Sequence, residues 1–201
     1  MKYTPALFAA TCLVLAASTP QIRVPADPEV QRVPATIEPA ATEPPAAVVM
    51  AGDPAPDVTW EGLASRPQRL RDLRAQGHVL LVFSPTEAQL RALERDRERL
   101  LDLRVLPAAV LDRSTTGVQR LARRLGLHFV LIPDPRNVIA SQFNTLDPAT
   151  HRATPAWFVV DRSGRVRGFD RTGVPESGYP RLAAAALVLA SPGATLPGSK
   201  R

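Results

Sequence analysis

Val79 to Phe83 form an unbroken apolar run, the pattern of a strand covered by helices on both faces rather than one with a wet side. The strand starts at His78 and is stopped by Pro85. Thr86 followed by Gln89 then predicts a helix opened by a capping box: the Thr hydroxyl accepts the N3 backbone N–H and the Gln side chain reaches back. Leu90, Leu93, Leu100 and Leu103 place one apolar stripe along that helix. Val105–Leu111 reads as the next strand despite Pro107. Ser114 or Thr115 caps a helix carrying Val118, Leu121, Ala122 and Leu125, which Gly126 closes.

Leu127 to Ile132 is apolar again, Pro133 and Asp134 turn the chain, and Val138 to Phe143 is a short helix. After a loop from Asn144 to Thr154, Ala156–Val160 and Arg165–Phe169 form a hairpin about Asp161 to Gly164, with Gly164 supplying positive φ. Glu176 or Ser177 opens the last helix, its stripe Leu182, Ala185, Ala186 and Leu189. Ahead of the apolar run, Asp57–Glu61 pairs with Arg66, Gln68 and Leu70 around a turn, and Asp72 to Ala75 makes a helical turn. This alternation predicts an α/β domain, a central mixed sheet with helices on both faces in the order βαβαββα, with an added N-terminal β-hairpin.

Composition divides the chain. Its 201 residues, 45% hydrophobic, allow one ordinary domain plus extra segments, and many of the 21 prolines gather near the front. Residues 1–18 have the short basic start, apolar stretch and small residues Ala16 and Ser18 of a cleavable signal peptide, predicting export to the periplasm, the cell envelope or the medium. That stretch is too short for a permanent transmembrane anchor. Residues 19–50 form a Pro/Ala-rich disordered linker, 51–190 the folded domain, and 191–201 a flexible tail.

The net charge of +6 is mostly arginine interleaved with acids, as in Arg91 to Arg99, a solvated helical face. Purer basic spots are Arg120, Arg123 and Arg124, and separately Arg162, Arg165, Arg167 and Arg171. With few aromatics among them and no nucleic-acid motif, no nucleic-acid partner is expected. The single cysteine, Cys12, lies in the export signal, so the mature chain holds no disulfide, thiolate nucleophile or thiolate ligand for a metal. His78, His128 and His151 stand apart without metal spacing, and neither metal nor cofactor is expected. His78 and His128 read as structural or solvent-facing; His151 is the one histidine worth testing.

Several phrases, in order, resemble the alkyl hydroperoxide reductase C and thiol-specific antioxidant group, the redoxins, which includes peroxiredoxins. They are Gly52-Asp53-Pro54-Ala55-Pro56-Asp57, Leu70-Arg71-Asp72-Leu73, His78 to Pro85, Leu125-Gly126-Leu127 through Pro133-Asp134-Pro135, and Thr154-Pro155 before Trp157 to Gly164. The resemblance implies a thioredoxin-like three-layer α/β/α sandwich. It also implies that Thr154-Pro155 is a cis-proline junction facing a protein partner together with Ser84, Pro85 and Thr86.

The family's catalytic residues do not carry over. Counted from Pro85 as in peroxiredoxins, the peroxide-attacking cysteine falls on Ala92 and its helper threonine on Gln89; counted as in thioredoxin-type exchangers, the two cysteines fall on Ala88 and Arg91. The family arginine aligns with Pro155, with Arg152 near it in sequence. Peroxide reduction needs a thiolate and a sulfenic acid, which a serine such as Ser84 does not supply. Three functional classes stay open: a non-catalytic module binding a partner at the cis-proline face, an antioxidant oxidoreductase borrowing a thiol or acting without one, and a purely structural envelope protein. Oligomeric state is not readable from the residues.

Overall fold

Strand β3 (His78–Phe83) lies third in a five-stranded sheet of order β5-β4-β3-β6-β7, and its last five residues are buried. The computed structural model describes residues 48–64 and 66–189. The predicted signal peptide, the predicted linker as far as 47 and the predicted tail therefore lie outside the described residues. Around β3 run β4 (Val105–Leu111) and β5 (Val130–Pro133), both parallel along this edge, and β6 (Ala156–Val160) and β7 (Val166–Asp170), antiparallel on the other. The sheet is mixed, as the pattern predicts.

Because side chains alternate across a strand, β3 serves two cores. Val79, Leu81 and Phe83 face Leu70 and Leu73 of α1 (Leu70–Gln76), Ile139 and Ala140 of α4 (Val138–Gln142), and Trp60 of the separate hairpin β1 (Thr59–Glu61) and β2 (Pro67–Arg69). Leu80 and Val82 face α2 (Glu87–Asp102) and α5 (Tyr179–Leu189), while Ala109 and Leu111 on the same side of β4 pack on Val118 and Leu121 of α3 (Thr115–Leu125). The result is a three-layer α/β/α sandwich.

Pro107 is tolerated in β4 for a local reason. It sits opposite Leu80, whereas pairing with β5 begins one residue later at Ala108, so on its outer side β4 is still an edge. Gly164 turns the β6–β7 hairpin with φ 88°, and a Cβ there would collide with the Arg74 guanidinium.

Several boundaries move. β1 and β2 are shorter than the sequence suggests, α1 is a longer helix than the predicted turn, β5 begins only at Val130, and β7 starts one residue late. Leu103 leaves the α2 stripe as an exposed C-cap. α5 begins at Tyr179 rather than after Glu176 or Ser177, with the Tyr179 N–H donating to Asp96 on α2 at 3.2 Å. Its buried stripe is Tyr179, Ala183 and Ala186, and Ala185 is exposed, because close contact of Ala186 with Gly168 of β7 sets the rotation of the helix. Val49, at the end of the expected linker, is buried and bonded to Asn144 through its N–H.

Candidate functional site

The antiparallel register of β3 and β6 pairs Phe83 with Ala156. Ser84, Pro85 and Thr86 continue from one strand end, and Thr154 and Pro155 lead into the other, so the register alone brings the two segments side by side. A direct bond joins them: the Ser84 hydroxyl donates to the Ala153 carbonyl at 3.1 Å. The Ser84 N–H donates to Val110 of β4, and its φ of 45° puts a non-glycine residue in the left-handed region where the chain swings from β3 into α2.

The Thr154–Pro155 peptide bond is trans, which corrects the cis expectation. The approach to β6 explains this. Leu146 and Ala153 form an antiparallel bridge, and Thr145 O accepts from both the Thr154 N–H and its hydroxyl, at 2.8 and 3.0 Å. The chain is already extended when it reaches Pro155, so the ordinary trans bond, favoured by about 0.5–1 kcal/mol, continues straight into the strand.

The N-terminus of α2 fills the place of a reactive site with packing. Thr86 and Gln89 make the predicted capping box, with Thr86 Oγ1 accepting the Gln89 N–H at 3.2 Å and Gln89 Oε1 accepting the Thr86 N–H at 2.8 Å. The remaining amide of Gln89 reaches across the fold, donating to the Val174 carbonyl at 2.8 Å and to Glu176 at 3.1 Å. Sequence reasoning found the cap and missed this second role. Ala92 is 2% exposed within the α2–α5 core, while Ala88 and Arg91 are exposed. Replacing Gln89 with alanine is expected to destabilise the domain by about 2 kcal/mol, as it removes a cap and leaves Val174 O without its donor. Urea unfolding measures it, and a loss below about 0.5 kcal/mol would show that the buried amide contributes nothing.

Arg152 pairs with Asp112 at 3.3 Å, on the exposed rim beyond β4. His151 is exposed in a turn where its N–H donates to Asp147 O, and its carbonyl accepts from Asn137; no imidazole contact ties it to Ser84 or Thr154. His128 bonds Glu94 of α2 at 3.0 Å, and half-buried His78 is held below the usual histidine range chiefly by burial. Among the described residues no group of three His, Asp or Glu side chains is placed to hold a metal.

Of the two basic spots, the later one is absorbed by the fold. Arg165 donates to Gly52 O at 2.7 Å and Arg167 pairs with buried Asp161. Arg171 lies over the Phe169 and Phe158 rings at 4.4 and 5.1 Å and donates to the carbonyls of Val49 and Phe143.

The profile of the AhpC/TSA family matches residues 51–169. No curated protein matches the chain. Peroxidoxin BcpB from Mycobacterium tuberculosis superposes with a TM-score of 0.63 at 18% identity, covering 69% of this chain and 96% of its own. AhpC from Enterococcus faecalis gives 0.63 at 17%, covering 74% and 99%. The mitochondrial 2-Cys peroxiredoxin from Plasmodium falciparum gives 0.62 at 15%, covering 74% and 100%. These likenesses establish the thioredoxin-like fold.

Proposed function

The chain belongs to the AhpC/TSA family, and on that premise we propose that it is an exported member that keeps the fold as a non-catalytic binding module. The observation that carries this reading is the fate of the positions where the family chemistry would sit. The peroxidatic position is Ala92, sealed in the core at 2% exposure, and its helper is Gln89, committed to a cap and to the segment before α5. No cysteine occurs after Cys12. Peroxide reduction by this fold is thiolate attack on the O–O bond, leaving a sulfenic acid for a second thiol to resolve; neither partner in that sequence is supplied. Ser84, the nearest hydroxyl, already donates to Ala153 O. What the site offers is a rigid surface of Ser84, Pro85, Thr86, Thr154 and Pro155, and that surface is where a protein partner docks. Export is supported by the signal-like residues 1–18.

The test is hydroperoxide consumption with dithiothreitol or a thioredoxin system as reductant, using the chain with Cys12 replaced by alanine, beside an active peroxiredoxin. Turnover at background is expected, and also for Ala92→Cys, whose thiol would be buried in apolar surroundings and held protonated. Clear turnover by the parent chain overturns the reading in favour of an oxidoreductase. A photo-cross-linker at Thr86 should give a discrete adduct in cells of the source type, and one at exposed Glu98 should not.

A further inference from the structure

The earlier basic spot, on α3, is not absorbed in this way. From Arg113 to Pro133 the sequence contains no Asp or Glu, and α3 carries Arg120, Arg123 and Arg124, all exposed. Arg113, Gly117, Arg120 and Arg124 follow helical spacing and line one open groove of about 400 Å³, with the buried Leu121 at its base. We propose that this outer face of α3 is a docking groove for an acidic protein segment, whose carboxylates seat on Arg113 and Arg120 beside Arg124. The proposal goes beyond the surface around Thr154 and rests on α3 and the residues that lead into it.

Three features distinguish the face from an ordinary solvated one. Gly117 stands inside a regular helix at N3, with no close approach demanding it: an added Cβ would meet only Ser114 Oγ at 3.4 Å and Arg113 Cβ at 3.5 Å, ordinary contacts. Its effect is to deepen the groove, at a cost to helix propensity. Arg113 precedes the N-terminal end of α3, where a positive charge opposes the helix dipole, and Arg120 and Arg124 are like charges four residues apart. Local stability is thus given up at Gly117 and Arg113, and Arg120 adds a like charge beside Arg124. The groove also already displays its recognition chemistry. Both terminal nitrogens of Arg124 engage the Glu87 carboxylate at the start of α2, and Glu87 is held below its usual range first by that bond, with Arg91 and Arg113 adding to it. One carboxylate thus contacts two guanidinium groups and feels a third, while Asp112, next to Arg113 in sequence, is paired with Arg152.

The occupant follows from what the face lacks. None of the exposed large hydrophobic side chains, Val48, Met50, Leu101, Leu103, Val138 and Val188, lies on α3 to insert into a membrane, and α3 has no aromatic residue on which a base could stack. Arginine forks in a concave slot suit the planar carboxylates of Asp and Glu.

The test is fluorescence anisotropy of the full chain with a fluorescein-labelled peptide of alternating Glu and Gly, at low and physiological salt. Binding is expected to weaken with salt and to be absent for the Gln-Gly peptide. Arg113→Glu with Arg120→Glu should lose about tenfold or more in affinity. Arg95→Glu with Arg99→Glu, the same charge change on α2, should leave binding unchanged. Gly117→Gln, which keeps every charge but fills the groove, should raise the melting temperature and weaken binding several-fold, and it guards against misfolding of the charge reversals. Equal losses from both charge-reversed pairs, full affinity in Gly117→Gln, or tighter arginine-dependent binding to phosphatidylglycerol vesicles or duplex DNA than to the peptide would each overturn the proposal.

Discussion

Replacing Phe158 with alanine is expected to lower the free energy of unfolding by about 4 kcal/mol, a large share of what holds a domain of this size together. Phe158 is fully buried in β6, paired across the sheet with Leu81 of β3 and Phe169 of β7. Its ring stands 5.6 Å from Phe83, 5.1 Å from Phe143 and 5.6 Å from Phe169, the first two edge-on and the last stacked. Collapse into the vacated space is restricted, since Phe83 and Phe143 are already in contact at 5.2 Å and Phe83 is fixed by its strand. The loss also uncovers one side of Arg171, whose guanidinium is desolvated enough to be pushed below its usual range. Urea denaturation measures the effect, with Phe158→Leu as the milder comparison at under about 2 kcal/mol. If the two substitutions cost the same, refilling the space with an aliphatic side chain recovers nothing and the cavity account of the loss fails.

Asp161 carries the second large expectation. It is 6% exposed at the turn of the β6–β7 hairpin, where its carboxylate accepts from the Ser163 hydroxyl at 2.6 Å, from the Arg165 N–H at 2.9 Å and from Arg167. Burial, the largest single influence, raises its pKa; the three donors and the charge of Arg167 together outweigh burial and bring it down to about 2. A carboxyl whose folded pKa lies below its unfolded value of 3.8 stabilises the fold above that value and loses the contribution as pH falls through the folded one. The sign gives about 2 kcal/mol present at neutral pH and lost between about pH 4 and pH 2. Asp161→Ala should therefore cost about 3 kcal/mol at pH 7, because it also strips the hairpin turn and Arg167 of an acceptor. The gap between parent and variant should narrow over that acid window. Asp147, Asp170 and Glu87, also held below their usual ranges, titrate in both proteins, so the difference isolates Asp161. A gap constant down to pH 2 would mean that the carboxylate is not specifically favoured by the fold.

The candidate site shows where sequence reasoning stops. Ser84 to Thr86 and Thr154 to Pro155 are named by the family resemblance, and the antiparallel pairing of the strands that they end and begin explains why they meet. The trans bond at Pro155 was not legible, because it depends on Thr145 holding Thr154 through two hydrogen bonds from outside the strand. The arginines of both basic spots look alike in sequence. Arg165, Arg167 and Arg171 find a carbonyl, a carboxylate or a pair of rings within reach, and Arg113 and Arg120 face an open groove.

By itself the sequence determined the strands and helices of the sheet, the capping box at Thr86 and Gln89, and the absence of cysteine after residue 12, because periodicity, capping and composition act within a few residues or none. Only the tertiary structure decided which polar groups are committed. Gln89 reaches Val174 across 85 positions and Arg171 reaches Val49 across 122, and such bonds form when packing brings distant backbone carbonyls beside a side chain. The same packing turns Val118 and Leu121 of α3 inward and leaves its arginines outward, where Arg124 meets Glu87 of α2.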